Sequence, residues 1–263
     1  MLEKIALEEI VEVAKEAGEA IMEIYQKDFD VEYKDDSSPL TEADKRAHAI
    51  IASRLGEMYP DIPILSEEGK SIPYHERKEW RSYWCVDPID GTKEFIKKND
   101  EFTVNIALIQ EGEPILGVVY APAVDELYYA KKGSGAFLNG KPLPLERKKE
   151  KNVLKVVASK SHLSEETQAF IDALDADEIE QVSRGSSLKL CMVASGEADI
   201  YPRLAPTMEW DTAAADAIVR ESGKMTYIFD EEKPLQYNKE NLLNPWFVVK
   251  RRKCNERYSF SRG

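Results

Sequence analysis

One stretch decides how this chain folds: residues 84–96, Trp-Cys-Val-Asp-Pro-Ile-Asp-Gly-Thr-Lys-Glu-Phe-Ile. Its apolar start predicts a buried strand, Pro88 predicts a break into a turn, and Gly91 predicts the start of a short helix. Two carboxylates, Asp87 and Asp90, therefore come at a strand end beside a helix N-terminus. Backbone N–H groups at a helix start bind anions, and Mg²⁺ takes hard oxygen ligands and is commonly completed by phosphate. The stretch therefore predicts a metal-bridged phosphate site.

The composition is that of an ordinary globular protein. The chain has 263 residues, of which 43% are hydrophobic and 32% charged, and its formal net charge is −13. This charge argues against nucleic acid or an anionic membrane as the main partner. No apolar run approaches the roughly 20 residues of a membrane span, and no secretory signal opens the sequence. Three cysteines without a CxxC spacing favour a reducing compartment. A cytoplasmic location is therefore expected, and peripheral association with the inner membrane is left open.

The histidines and serines do not form a familiar catalytic motif. His48, His75 and His162 show no metal-ligand spacing such as HExxH, and no GxSxG segment occurs. We therefore expect these histidines to be surface or structural residues, with neither a histidine-bound zinc nor a serine nucleophile in the chemistry.

The first half of the chain predicts an α+β unit. Helices are predicted over residues 2–26 and 41–59 from their apolar periodicity, and residues 70–78 are predicted to be a polar loop. Short turns separate the later strands, and Asn139-Gly140 is a strong hairpin signal, so these strands form an antiparallel meander. The predicted strands are, in chain order, 29–33, 64–65, 83–86, 102–109, 115–120, 126–130 and 136–138.

The second half predicts an α/β layer in which strands alternate with helices. A charged connector at residues 147–151 divides the chain into a predicted N-terminal part, 1–148, and a C-terminal part, 149–263, that completes the site. Helices are predicted over 164–174, 186–195 and 209–221. Strands are predicted over 153–158, 178–182, 198–201, 225–229 and 247–250.

Five acidic residues are candidates for chemistry: Asp44, Glu67, Asp87, Asp90 and Asp211. Three of them also have an ordinary structural explanation. Asp44 can form a capping box with Thr41, or it can polarise a water molecule. Glu67 can belong to a surface turn, and Asp211 can cap the helix that it begins. Asp87 and Asp90 stand beside an anion site, where cations between the two acids would explain the pair. Spacing alone leaves these alternatives open.

Three segments occur together in one order: Ser-Glu-Glu at 66–68, Asp-Pro-Ile-Asp-Gly-Thr at 87–92 and Glu-Trp-Asp-Thr-Ala-Ala at 209–214. Across nearly the whole chain they resemble the inositol monophosphatase superfamily of Mg²⁺-dependent, lithium-sensitive phosphatases. The resemblance implies an α+β / α/β fold, the layered αβαβα sandwich shared with fructose-1,6-bisphosphatase. It leaves open whether the chain is a monomer or a homodimer.

The resemblance also implies roles for particular residues. Two or three Mg²⁺ ions would be held by Glu67, Asp87, the carbonyl of Ile89, Asp90 and Asp211. Thr92 and Asp44, with Glu67, would orient and activate the attacking water, and the N–H groups of Gly91 and Thr92 would hold phosphate oxygens. The physical reason is that two metal ions can align water and leaving group on opposite sides of phosphorus and neutralise charge.

Within the superfamily, the chain is most similar to bacterial 3′(2′),5′-bisphosphate nucleotidases of the CysQ type. The segments that carry this similarity are 90–96, 102–108, 117–122, 183–189 and 198–203. It implies hydrolysis of the 3′-phosphate of adenosine 3′,5′-bisphosphate to AMP and phosphate. The residues implied to bind that substrate are Asp90, Gly91, Thr92, Ser183, Gly185, Ser186, Lys189, Arg203 and Asp211.

Alternatives to this interpretation stay open. Ser186 and Ser187 can simply cap a helix, with Lys189 solvated, in which case no second phosphate site exists. An inositol or sugar phosphatase of the same fold is the second candidate, and a metal-binding regulatory protein without activity is the third. The chain also departs from related sequences, which often have Gly-His where Ala215 and Asp216 stand. Asp216 is expected on a helix face that approaches the substrate.

Overall fold

The computed structural model describes residues 5–34, 39–146, 153–158 and 164–252. Its helices are α1 (Leu7–Tyr25), α2 (Glu42–Met58), α3 (Tyr74–Arg77), α4 (Thr92–Ile96), α5 (Glu165–Asp172), α6 (Leu188–Ser195) and α7 (Glu209–Glu221). Its strands are β1 (Val31–Tyr33), β2 (Pro39–Thr41), β3 (Ile64–Ser66), β4 (Ser82–Asp90), β5 (Thr103–Gln110), β6 (Glu113–Ala121), β7 (Glu126–Lys131), β8 (Gly135–Leu138), β9 (Lys141–Pro142), β10 (Val153–Val157), β11 (Glu178–Val182), β12 (Tyr201–Arg203), β13 (Lys224–Ile228) and β14 (Phe247–Arg251).

A seven-stranded sheet forms the centre of the molecule, with its strands in the order β3-β4-β5-β6-β7-β8-β9. From β4 onward each strand pairs antiparallel with the next, which confirms the predicted meander, whereas β3 pairs parallel with β4. Asn139 and Gly140 both have positive φ, 46° and 79°, and connect β8 to β9 as a two-residue turn requires. The hairpin prediction is therefore confirmed.

The two faces of this sheet bury different helices because neighbouring strand residues point to opposite sides. Trp84 and Val86 of β4 pack with α1 and α2, whereas Tyr83 and Cys85 pack with α6, α7 and the three-stranded sheet β12-β14-β13. Beyond this second sheet, α5 packs against the parallel pair β10 and β11 and contacts β12. The layers therefore follow the predicted αβαβα order.

Three sequence predictions need correction. Pro88 does not end its strand: β4 continues to Asp90, and the ladder is irregular between Asp87 and Asp90, so proline removes no regular bond there. The predicted loop at 70–78 contains α3, which is too short for any periodicity to reveal. The strand predicted at 198–201 lies later, as β12.

The proposed boundary between residues 148 and 149, and the charged connector at 147–151, lie outside the described residues. The division into two parts therefore stays a prediction. In the part of the chain that the structure describes, no helix is long and apolar enough to cross a membrane.

A glycine and an alanine-rich helix face let α7 approach the central sheet closely. A Cβ atom added to Gly117 of β6 would lie 2.1 Å from the carbonyl oxygen of Ala214 and 2.8 Å from the Cβ of Ala217. Because backbone atoms of α7 cannot give way cheaply, the position requires glycine. This contact determines how near α7, and the residues at its first turn, lie to the strands.

We expect Gly117→Ala to lower the free energy of unfolding by about 2–3 kcal/mol, because the new methyl overpacks the contact between β6 and α7. Urea unfolding monitored by circular dichroism measures this change. Gly56→Ala is the matched control: it lies inside α2 with no packing atom within 4 Å of the place that a methyl group would take, and should stabilise the protein by about 0.5–1 kcal/mol. Equal effects of the two substitutions would contradict the close-contact explanation.

Candidate active site

Three carboxylates from distant parts of the chain meet at one edge of the central sheet. Glu67 follows β3, Asp87 lies near the end of β4, and Asp211 lies in the first turn of α7. One potential ligand oxygen from each lies within 4.8 Å of the others. The parallel pairing of β3 and β4 places the first two side by side, and the N–H of Glu67 donates to the carbonyl of Val86 at 3.1 Å. The packing of α7 adds the third.

The acids of the cluster also make the local hydrogen bonds that the turn and capping explanations predict. Gly69 N–H donates to the carbonyl of Ser66 at 3.0 Å, so Glu67 does lie in a turn. Asp211 Oδ2 accepts from Met208 N–H at 2.8 Å, so Asp211 also caps its helix. Asp87 Oδ1 accepts from Ile89 N–H at 3.1 Å. These bonds orient the side chains and leave further oxygen lone pairs available.

Burial and mutual repulsion disfavour the ionised forms of the cluster. Burial, followed by the charges of Glu67 and Asp90, raises the pKa of Asp87 well above its ordinary value. Burial and the charge of Asp90 raise the pKa of Asp211 to about 8. Burial also raises the pKa of Glu67, although Lys34 opposes the shift. A divalent cation would relieve this repulsion, and an all-carboxylate donor set matches the oxygen preference of hard cations. The residues therefore fit a divalent metal ion.

Lys34 is part of the site, and the sequence did not predict it. Its Nζ lies 2.9 Å from Glu67 Oε1 and 2.5 Å from Glu68 Oε1. Although burial lowers it, the bonds to these two carboxylates raise the pKa of Lys34 above its ordinary value. Lys34 therefore offsets part of the negative charge at the edge of the cluster.

Asp44 forms the predicted capping box and also contacts Thr92, because its two oxygens have different partners. Asp44 Oδ2 accepts from the backbone N–H of Thr41 at 2.7 Å and from its hydroxyl at 2.6 Å, which completes the capping box. Asp44 Oδ1 accepts from Thr92 Oγ1 at 3.2 Å. Burial raises the pKa of Asp44, and the bonds from Thr41 and Thr92 oppose the shift. The predicted Thr92 and Asp44 pair is thus in contact.

Asp90 lies beside the three-carboxylate cluster and is held by hydroxyl groups. Its Oδ2 accepts from Ser186 Oγ at 2.8 Å and from Ser187 Oγ at 2.6 Å. The carbonyl oxygen of Ile89 lies 3.3 Å from Thr92 Oγ1 and is the alternative acceptor of the Thr92 proton. Gly91, with φ +93°, turns the chain from β4 into α4 in a conformation that favours glycine. Most of the segment 87–92, at the end of β4 and the start of α4, therefore lines the site.

A cavity of about 490 Å³ joins these acids to cationic side chains from the second half of the chain. Lys189 of α6 and Arg203 of β12 line it, together with Glu67, Asp87, Ile89, Asp90, Gly91, Thr92, Ser186 and Asp211. Burial lowers the pKa of Lys189, the charge of Asp90 opposes this shift, and Arg203 adds to it. Arg203 Nη2 donates to the carbonyl of Pro206 at 2.9 Å, and its buried Nε has no partner among the described residues.

In the segment 183–189, the structure differs from part of the predicted substrate site. Ser183 and Gly185 do not line the cavity, and Gly185 instead permits close packing, since an added Cβ would lie 2.7 Å from Glu101. The capping alternative is also wrong, because α6 has no side-chain cap bond and both serine hydroxyls point to Asp90. Lys189 is not a freely solvated side chain, since its Nζ donates to the carbonyl of Arg184 at 3.3 Å.

The prediction that Asp216 lies on a helix face that approaches the substrate is wrong. Its side chain is fully buried, lies 2.9 Å from Arg220 Nη2 and accepts from the hydroxyl of Tyr237 at 3.1 Å. This residue therefore faces the core and not the cavity, because the helix turns it away from Asp211. His48 hydrogen-bonds Ser66 at 2.9 Å and His75 lies in α3, whereas His162 lies outside the described residues.

The first turn of α7 is anchored by Glu209, which the sequence did not single out for this role. Its fully buried carboxylate accepts from Lys239 Nζ at 2.6 Å, from Asn238 N–H at 2.7 Å and from the hydroxyl of Tyr83 at 3.2 Å. The buried Arg77 of α3 holds the same segment by donating to the carbonyls of residues 239 and 240. These bonds position the turn that carries Asp211.

The chain belongs to the inositol monophosphatase family, whose model matches residues 3–255. Relatives of one kind within that family are similar to it over nearly their whole length. The 3′(2′),5′-bisphosphate nucleotidase CysQ of Shigella flexneri is 45% identical over 246 residues, which cover 92% of this chain and 98% of the relative. The protein of the same name from Escherichia coli K12 is 44% identical over the same shares of both chains.

Solved structures agree with this placement. The crystal structure of CysQ from Bacteroides thetaiotaomicron superposes with a TM-score of 0.86 at 44% identity and covers 94% of this chain and 97% of that one. The inositol monophosphatase of Thermotoga maritima gives a TM-score of 0.71 at 28% identity, with 91% and 89% covered. The family resemblance and the layered sandwich predicted from the sequence are thereby confirmed.

The raised pKa values predict how the stability of the metal-free protein depends on pH. Asp211 has a folded pKa of about 8, above an unfolded value of about 4, so the folded state holds a proton that the unfolded state releases. The contribution of this group to stability is present below pH of about 4 and is lost as pH rises to about 8. Divalent cations bind the ionised carboxylates. They should therefore stabilise the folded state most at high pH, where the carboxylates have lost their protons.

We therefore expect MgCl₂, relative to EDTA, to raise the melting temperature more at pH 8 than at pH 5. Differential scanning fluorimetry at both pH values measures this difference. Asp211→Asn is the control, because it removes the titrating group and should shrink the dependence on pH. An equal Mg²⁺ effect at both pH values would contradict the assignment of the cluster as a cation site.

Proposed function

We propose that this chain is a Mg²⁺-dependent 3′(2′),5′-bisphosphate nucleotidase that hydrolyses the 3′-phosphate of adenosine 3′,5′-bisphosphate to AMP and phosphate. The observation that carries the proposal is a single cavity lined both by the acidic cluster and by Lys189 and Arg203. The names of the CysQ relatives support the same substrate class. A substrate with two phosphates can use both parts of the cavity, whereas a monophosphate can use only one.

The acidic part of the cavity would hold the metal ions. Glu67, Asp87 and Asp211, with Asp90 and the carbonyl of Ile89, are the oxygen donors available there. When bound, Mg²⁺ would offset the charge of the phosphate and make a water molecule more acidic. Gly91 and Thr92 offer backbone N–H groups to the phosphate oxygens where α4 begins.

Thr92 and Asp44 would handle the proton of the attacking water. Because the Thr92 hydroxyl donates to Asp44 Oδ1, its lone pairs are available to accept a hydrogen bond from water. Glu67 lines the same cavity and would help to orient that water. As the water oxygen forms its bond to phosphorus, its proton passes to Thr92 and the proton of Thr92 passes to Asp44. The bond between phosphorus and the 3′ oxygen breaks, and that oxygen takes up a proton from a second water molecule of the solvent. The buried environment raises the pKa of Asp44, which makes it a better base.

Lys189 and Arg203 would bind the second phosphate. Both are cations that line the same cavity as Glu67, Asp87 and the other acids of the site. Charge-assisted hydrogen bonds to phosphate are about twice as strong as neutral ones. Ser186 contributes to the same wall, although its hydroxyl is engaged with Asp90.

The deciding experiment is a phosphate-release panel with MgCl₂ and four substrates: adenosine 3′,5′-bisphosphate, 3′-phosphoadenylyl sulfate, inositol 1-phosphate and fructose 1,6-bisphosphate. We expect kcat/KM for adenosine 3′,5′-bisphosphate to exceed that for inositol 1-phosphate by tenfold or more. A preference for inositol 1-phosphate or fructose 1,6-bisphosphate would favour the alternative of an inositol or sugar phosphatase. No hydrolysis of any of the four would favour a regulatory, metal-binding role.

We expect Lys189→Ala to raise KM for adenosine 3′,5′-bisphosphate by about tenfold, which corresponds to the loss of one charge-assisted bond of about 1.4 kcal/mol. Adenosine 3′-monophosphate, which lacks the second phosphate, should be affected little. Steady-state kinetics with both nucleotides measures the contrast. Lys141→Ala, at an exposed lysine of β9, is the matched control and should change neither KM. Equal losses on both nucleotides would contradict a second phosphate site.

We expect Thr92→Val to lower kcat by about 100-fold with little change in KM, because the isosteric side chain cannot relay a proton. Asp44→Asn should cause a comparable loss. Since the two residues act as one unit, the double variant should lose little more than either single variant. Strictly multiplicative losses would show that Thr92 and Asp44 act independently.

A further inference from the structure

One buried hydroxyl group connects three elements that surround the candidate metal site. Ser187 directly precedes α6 and is 1% exposed. Its Oγ lies 2.6 Å from Asp90 Oδ2, 2.9 Å from the carbonyl oxygen of Asp211 and 2.7 Å from Asn105 Nδ2. Ser187 therefore touches the end of β4, the first turn of α7 and strand β5 at the same time.

The number of protons available determines which of these groups donate and which accept hydrogen bonds. A serine hydroxyl has one proton to donate and two lone pairs to accept with. The amide of Asn105 donates to Ser187, because its nitrogen faces Oγ. The single proton of Ser187 then goes to Asp90 Oδ2, the nearer acceptor and a carboxylate oxygen. The carbonyl oxygen of Asp211, 2.9 Å from the same Oγ, is the alternative acceptor of that single proton.

The local backbone brings two successive hydroxyls to one oxygen. Ser186 has a left-handed φ of +55°, a conformation that non-glycine residues rarely adopt, whereas Ser187 has helical φ and ψ. This change of backbone region allows both side chains to reach Asp90 Oδ2, at 2.8 and 2.6 Å. Residues in such conformations cluster at functional sites. Asp90 Oδ2 is thus occupied, and Asp90 still lines the cavity.

We propose that Ser187, oriented by Asn105, is a positioning residue that fixes the carboxylate of Asp90 and thereby raises the affinity of the site for Mg²⁺. This inference rests on the proposed metal-dependent function. Ser187 does not touch the substrate in this role; it acts through Asp90. Hydrogen-bonding partners of metal ligands typically change metal affinity by about 10–100-fold when they are removed.

The test compares Mg²⁺ binding by wild-type protein and Ser187→Ala, measured by isothermal titration calorimetry without substrate. We expect about tenfold weaker binding in at least one class of sites. The Mg²⁺ concentration for half-maximal hydrolysis should rise by a similar factor, with kcat at saturating Mg²⁺ within about threefold of wild type and KM for the nucleotide unchanged.

Ser195→Ala is the matched control. Ser195 is a fully buried serine at the opposite end of α6, and its hydroxyl donates to the carbonyl of Met192 at 3.1 Å. Its removal should lower the melting temperature as Ser187→Ala does, yet leave Mg²⁺ binding unchanged. Ser187→Cys replaces the hydroxyl with a somewhat larger group that is a weak donor, and should bind Mg²⁺ with intermediate affinity.

Equal Mg²⁺ affinities of wild type and Ser187→Ala would overturn the proposal, as would equal losses in Ser187→Ala and Ser195→Ala. If Ser187→Ala does not fold, the comparison of Ser187→Cys with wild type decides the question by the same measurement. Failure of the proposed function is a separate result. A wild-type protein that binds Mg²⁺ but hydrolyses no nucleotide would refute the nucleotidase activity, while the binding comparison would still test Ser187.

Discussion

Repulsion among buried carboxylates is the constraint on which this structure depends. Glu67, Asp87 and Asp211 approach within 4.8 Å of one another in a setting where water cannot screen their charges fully. Burial and mutual repulsion raise their pKa values, so the arrangement is favourable only with protons or cations nearby. Lys34 supplies one positive charge at the edge of the cluster. The proposed Mg²⁺ chemistry turns this unfavourable concentration of charge into a binding site.

Holding such a cluster together requires rigid packing behind it. The parallel pair β3 and β4 sets the spacing of the first two acids, and the contact at Gly117 brings α7 close to the sheet. Glu209, paired with Lys239, anchors the first turn of that helix. Ser187 lies between this turn and Asp90, and its hydroxyl donates to the carboxylate of Asp90. The site therefore depends on contacts between elements from both halves of the chain, so its geometry is a property of the whole sandwich.

Two acids with a structural explanation in the sequence make that local bond and also contact the candidate site. Asp44 caps α2 with one oxygen and accepts from Thr92 with the other, and Asp211 caps α7 while it joins the cluster. A carboxylate has two oxygens with several lone pairs, so a local bond does not preclude a distant one. Asp216 failed as a prediction for a different reason. Its partner Arg220 lies on the same helix, but which face the helix buries depends on its packing against the sheet.

The central meander follows from the residues alone, because it depends on local periodicity, turn chemistry and short spacings. The layered sandwich and the grouping of the acids were implied by the motifs that resemble the family. The sequence could not reveal the roles of Lys34, Arg77, Glu209 and Ser187. Each of these acts through partners that are distant along the chain, and only the packing of the helices and loops against the central sheet brings those partners within hydrogen-bonding distance.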